Sequence, residues 1–274
     1  MNDRYRPFLF FSIALLVPWL LWFAAAGISR SPQQEAYQGL QGMLGLIGLL
    51  APALTAAVLF FRAPVLAADL RTRLFRLGGF PRRYLWLAVF LLPVSLIVAQ
   101  LISICFGHSW AQFTVSGHPS FRSALFSPWF MLMFAPVAEE LAWHSYGTDS
   151  LNKRFSLFTT SMIFAVYWAF WHFPLFFIKG YYQSEVAVQG WLYTLNFVVS
   201  LLIFVLLMNW LYVKSGRSVM VAILFHLCGN VGNEVFATHP DSKVIQTVLL
   251  TVLVLWVLYK EKAVFFLQRK ENEA

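Results

Sequence analysis

The chain is predicted to be an all-α polytopic membrane protein, a bundle of about eight transmembrane helices around a polar intramembrane cavity. Three observations predict this. Of its 274 residues, 59% are hydrophobic and only 12% charged, against about 25% charged in a soluble domain, and the mean hydropathy is +0.67. Apolar stretches of the ~20 residues needed to cross ~30 Å of hydrocarbon recur near 8–27, 38–62, 84–106, 124–148, 156–178, 189–213, 217–233 and 243–262. Finally, a few ionisable and amide groups interrupt three of these stretches, beginning with the adjacent Glu139 and Glu140. Each charge left facing lipid costs about 2.5–3.5 kcal/mol, so these groups are expected to gather around one interior cavity. Strands are set aside, because the runs are uninterrupted rather than alternating and lipid admits only helices or closed barrels.

Taken in order, the first stretch follows Arg4 and Arg6 as the core of a signal peptide would. It is longer than a usual signal core and seven further spans follow, so it reads as a retained first helix. After the second span comes the basic segment 63–83, either a short amphipathic helix on the membrane surface or a solvated loop. The fourth span, FMLMFAPVAEELAWHSYG, carries the glutamate pair, and the fifth, SMIFAVYWAFWHFPLFF, carries His172. Asn196 and Asn209 in the sixth read as interhelical hydrogen-bonding groups. The seventh, VMVAILFHLCGN, is short and polar along one side through His226 and Asn230, which suits a helix packed inside the bundle. No repeat or linker divides the chain, so 1–274 is read as a single integral-membrane domain. Cys105 and Cys228 fall in apolar stretches with no CxxC, as buried small hydrophobes do. His108, His118 and His239 lie in or beside loops and carry no assignment.

Orientation follows from the distribution of positive charge. With the N-terminus in the cytoplasm, the cytoplasmic side holds Arg4, Arg6, Arg62, Arg71, Arg73, Arg76, Arg82, Arg83, Lys153, Arg154, Lys214, Arg217, Lys260, Lys262, Arg269 and Lys270. These are sixteen of the 20 basic residues; Arg30, Arg122, Lys179 and Lys243 remain for the other side. Both termini are accordingly placed in the cytoplasm, and the membrane is expected to be a bacterial or archaeal plasma membrane. The net charge of +8 is explained by topology, and nucleic acid is not a partner.

On a helix, residues four apart share a face while neighbours diverge by about 100°. Glu139 and Glu140 therefore cannot both address one atom. Glu139 is read as facing the cavity, with Glu140 paired to His144 one turn later. His226 and Asn230 share a face, and Trp168 lies one turn before His172 and is expected to pack beneath it. A carboxylate removed from water becomes a stronger base, a histidine can position the same water, and a second histidine with an amide can donate to the oxyanion that forms when water attacks a carbonyl. No serine or cysteine nucleophile motif accompanies them. Glu139, His172 and His226 are also ordinary zinc ligands, although no HExxH is present; no cofactor is favoured, and zinc stays open. Proton or cation transport is a competing use of paired carboxylates, against which no Gly/Pro-interrupted repeat halves occur.

At these residues the chain resembles the CPBP family of intramembrane proteases, which includes CAAX proteases and bacteriocin-processing enzymes. The family signature EExxxR, FxxxH and HxxxN is met in order by EELAWH (139–144), WAFWH (168–172) and HLCGN (226–230), with EELxWxxYG and WHFPLFF as matching context. The resemblance implies an intramembrane endopeptidase in which Glu139 and His172 activate water. It further implies that His226 and Asn230 form an oxyanion hole and that Glu140 supports them, without metal. Its implied partners are the lipid bilayer and a peptide or membrane-protein substrate, including CAAX-type C-termini, reached through a cavity open to the cytoplasm. Two positions depart from the signature: His144 stands for the arginine and Trp168 for the phenylalanine. His144 lacks a permanent charge and a bidentate fork. A zinc protease using the same residues and a catalytically silent, partner-binding or immunity homologue are the alternatives.

Overall fold

The structure is a computed structural model describing residues 4–116 and 125–267; His118, Arg122, Arg269 and Lys270 lie outside the described residues. Every predicted span is helical: α1 (Pro7–Ser29), α2 (Gln38–Phe61), α4 (Arg83–Ile104), α5 (Pro128–Ala142), α7 (Leu157–Trp171), α9 (Trp191–Lys214), α10 (Val219–Val235) and α11 (Pro240–Lys260), with α3 (Pro64–Arg73), α6 (Thr148–Asn152), α8 (Tyr182–Gln189) and α12 (Lys262–Phe266) as short connecting helices. Proline opens α1, α3, α5 and α11, where its missing N–H has no partner to lose. The side chains of Ser127, Ser156 and Ser218 accept the first free amides of α5, α7 and α10, as preferred N-caps do.

The fourth span is not one regular helix. After Ala142 the chain makes a π-turn, Trp143–Gly147, before resuming as α6. Such a turn offsets two carbonyls from the helical ladder and favours functional sites. The carbonyl of His144 accepts from Arg73 Nη1 (3.2 Å) and Tyr212 Oη (2.7 Å), and that of Ser145 from Arg73 Nη2 (2.8 Å). The fifth span also changes character: α7 ends at His172, and Phe173–Phe177 continues as a 3₁₀ turn that admits Pro174.

The segment 63–83 contains the short helix α3, one side of which packs on protein while Val65 on it stays exposed. Leu66, Ala67 and Leu70 pack against the bundle, and Arg73 is buried beneath it. The sequence pattern reveals a sided helix; it does not tell whether the covered side meets lipid or protein.

Lipid offers apolar side chains no reason to leave it, so the bundle relies on close packing. Trp22, Trp143, Trp168 and Trp171 are fully buried at its centre, and Trp171 meets Trp22 (4.6 Å) and Trp143 (5.4 Å) edge-on. Gly48 permits this: a Cβ there would lie 2.3 Å from the Trp22 Nε1, whose N–H donates to the Gly45 carbonyl at 3.0 Å. Phe8, Phe61, Trp86, Val252 and Trp256 stand exposed on the outside, the surface a bilayer would cover.

Candidate active site

Five elements bring the site together. Glu139 and Glu140 come from the last turn of α5, Trp143 and His144 from the π-turn, Trp168 and His172 from the end of α7, Asn209 from α9, and His226 and Asn230 from α10. Glu139 is buried with one edge on a cavity. Its Oε2 accepts two indole N–H bonds, from Trp168 (3.1 Å) and Trp143 (3.3 Å). Oε1 carries no hydrogen bond among the described residues. Two rigid donors thus fix the carboxylate plane while one oxygen stays available.

His172 donates its Nδ1–H to the Trp168 carbonyl at 2.7 Å. A carbonyl can only accept, so the hydrogen sits on Nδ1, and the Nε2 of the neutral ring presents a lone pair. Trp168, Trp171 and Phe197 hold the ring edge-on or tilted at 4.9–5.8 Å. Trp168 therefore both packs against His172 and donates to Glu139, which the phenylalanine of the related signature could not do.

Glu140 is entirely buried and turned away from the cavity. Its Oε1 meets His226 Nδ1 at 2.7 Å, and its Oε2 pairs with His144 Nδ1. His226 and the partly buried Asn230 line the cavity together with Glu139 and His172. For His226 Nε2 to donate a hydrogen bond, the ring must hold both protons, and the Glu140 carboxylate is placed to balance that charge.

His144 belongs to a longer chain. Ser161 Oγ donates to the Leu157 carbonyl (2.7 Å), so it accepts from Asn209 Nδ2 (2.8 Å), which turns Asn209 Oδ1 to His144 Nε2 (2.8 Å). That polarity places a hydrogen on His144 Nε2. Asn209 is thus the interhelical bonding group expected of it, and it reaches the site through His144. Asn196 instead faces the cavity.

The cavity holds about 410 Å³, and Glu139, Trp168, Phe204 and His226 are the deepest residues on its lining helices. Its rim comes from Ser116, α8 and the 236–240 segment, all at the end of the bundle opposite the termini. Both termini and the mouth therefore cannot face the cytoplasm together, and the expectation of a cytoplasmic opening beside cytoplasmic termini is corrected. Residue spacing describes the faces of helices; which end of a bundle is sealed depends on side chains distant in sequence.

Zinc is tested by the placement of donors. Among the described residues, the His, Cys, Asp and Glu ligand atoms that approach within 4.8 Å of one another in a group of three belong to His108, His239 and Asp241 near the mouth. Glu139, His172 and His226 are not gathered in this way, so no step is routed through a metal. The sequence reading missed the roles of Trp143, Trp168, Arg73 and Tyr212. The four-residue interval from Glu139 to Trp143 was a usable signal, while the others act across helices.

Residues 121–232 match the family described as type II CAAX prenyl endopeptidase Rce1-like. The chain is also 34% identical over 265 residues to the CAAX prenyl protease 2 of Methanococcus maripaludis, covering 96% of this chain and 97% of that relative.

Proposed function

The chain belongs to the Rce1-like CAAX prenyl endopeptidase family and is a membrane protease, and from that premise we propose a water-mediated mechanism for residues of its cavity. Glu139 Oε1 accepts a proton from water while His172 Nε2 orients the same molecule. The resulting hydroxide attacks the peptide carbonyl carbon. The oxyanion receives hydrogen bonds from Asn230 Nδ2 and from His226 Nε2–H, where pre-positioned donors act most strongly. Collapse breaks the C–N bond, and the proton on Glu139 passes to the leaving amine. Glu140, held by His144, keeps His226 in the donating form. The observation that carries this reading is a carboxylate anchored on one oxygen by two indoles, lining the same cavity as an oriented histidine.

The catalytic unit is taken to be the whole chain, 1–274, in a bacterial or archaeal plasma membrane with both termini cytoplasmic, as the excess of basic residues at that end supports. The name of the Methanococcus relative suggests prenylated C-termini as one substrate class. The test is a quantitative comparison of protein termini in membranes from cells making equal amounts of wild type or Glu139→Ala. New termini are expected with wild type only. Matching profiles at equal depth would favour the catalytically silent alternative instead.

A further inference from the structure

A second group of side chains, at the mouth of the cavity, carries metal-binding chemistry. His108 lies in the turn after α4, while His239 caps α11 and Asp241 sits in its first turn. One ligand atom from each of the three lies within 4.8 Å of the others. Asp241 Oδ2 is their shared point, with His108 Nε2 at 3.1 Å and His239 Nδ1 at 3.6 Å. Ligands bound at ~2.0–2.2 Å around one tetrahedral zinc ion stand ~3.4 Å from each other. The two separations bracket that spacing, and all three side chains keep access to solvent.

The donors stand in the form a metal takes. The backbone N–H of Asp241 donates to His239 Nδ1 (3.2 Å); an amide can only donate, so that nitrogen carries a lone pair. Nδ1 and Oδ2 are then two acceptors facing each other, an arrangement that a cation stabilises. Asp241 Oδ1 accepts from Tyr193 Oη on α9 (2.7 Å), the kind of outer hydrogen bond that orients a metal-ligating carboxylate. The rings of His108 and His239 lie 4.1 Å apart, tilted by 33°, so neither has far to travel to a shared ion. The frame beneath them is fixed as well. Gln100 Nε2 donates to Thr238 Oγ1 (2.9 Å), Ser242 Oγ to Gln112 Oε1 (2.7 Å), and the Ala237 N–H to the Thr114 carbonyl (3.0 Å). These bonds tie α4 and the turn after it to the start of α11, and they set His108 against Asp241 in advance of any ion.

We propose that His108, His239 and Asp241 bind one divalent ion of the zinc class at the mouth of the cavity, with water completing its shell. Two imidazoles and one carboxylate suit zinc and its first-row neighbours, whereas calcium and magnesium take shells of oxygen and are selected against. Tyr193, Thr238 and Pro240 line the cavity, so the ion stands where a substrate enters. It takes no part in the chemistry proposed for Glu139.

The test is isothermal titration of ZnCl2 into the full-length protein in nanodiscs, purified without a histidine tag and stripped with chelator, with MgCl2 as the comparison. One zinc per chain is expected, with no uptake of magnesium over the same range. His108→Phe keeps a ring against His239, and His239→Ser keeps a cap for α11; thermal unfolding without metal checks that both are folded. Each should weaken zinc by ~100-fold or more, beyond the ~10–100-fold that an outer partner is worth, and Tyr193→Phe should weaken it about tenfold. Glu139→Ala should bind zinc as wild type does. Absence of zinc binding by wild type overturns the proposal, as does wild-type affinity in the two histidine variants. Zinc lost from Glu139→Ala but kept by the histidine variants also overturns it, and places the ion in the cavity as the zinc-protease alternative requires.

Discussion

Replacing Trp168 by phenylalanine separates packing from hydrogen bonding at Glu139. The ring stays aromatic among Phe164, Phe204 and His226, but the 3.1 Å donor to Oε2 is lost and only Trp143, at 3.3 Å, still holds the carboxylate. A hydrogen bond to a charged group is worth about 1.5–3 kcal/mol, and each ~1.4 kcal/mol is tenfold in rate. The full loss corresponds to roughly 10–150-fold. The lower end is expected, because a water admitted by the smaller ring can recover part of the bond. In the proposed mechanism Glu139 acts on water and not on substrate binding, so the loss belongs in kcat with KM held. The assay is steady-state cleavage, in detergent or nanodiscs, of a peptide spanning a site found by the termini comparison, alongside thermal unfolding to confirm the fold. A Trp168→Phe enzyme with unchanged kcat, or one altered in KM alone, would refute the positioning argument. Adding Trp143→Phe strips both donors from Oε2 and should cost more than the two single losses combined.

Three further outcomes follow from the same geometry. Asn230→Ala should lower kcat by about 10²–10³ if the amide donates to an oxyanion, and a normal kcat in single-turnover cleavage would remove it from that role. Arg73→Ala takes the fully buried guanidinium from Asp149, which keeps Arg217 and Tyr212, and from the π-turn carbonyls of His144, which keeps Tyr212, and Ser145, so it should destabilise the fold by at most about 3–5 kcal/mol; an unchanged Tm in detergent would show that this ionic cluster does not hold the bundle end. The third outcome concerns acid. Burial works against ionising Asp69, but the Arg73 hydrogen bond and the Arg217 charge outweigh it and hold its carboxyl below the ordinary value of 3.8. A folded pKa below the unfolded one stabilises fully above that ordinary value and fades as pH falls through the folded value. The Tm gap between wild type and Asp69→Asn should therefore be constant near neutrality and close only in strong acid; a gap closing between pH 5 and 7 would contradict the pairing.

The sequence by itself determined the membrane class and the apolar segments that fold as helices, six of them long enough to cross a bilayer, and it singled out residues that line the cavity, because these depend on properties local to each helix. Hydrophobic length sets a span. The 3.6-residue period placed Glu140 on the stripe of His144 and His226 on that of Asn230, and it set Glu139 apart from Glu140. The tertiary structure alone decided what each stripe meets. Nothing along α7 announces that the Trp168 indole reaches Glu139, nor along α9 that Asn209 completes the shell of His144. The position of Arg73 beneath the π-turn depends on a loop folding back over the bundle end. Helix periodicity fixes the bearing of a side chain about its own axis, and only packing between distant segments determines its neighbour and the end of the bundle left open.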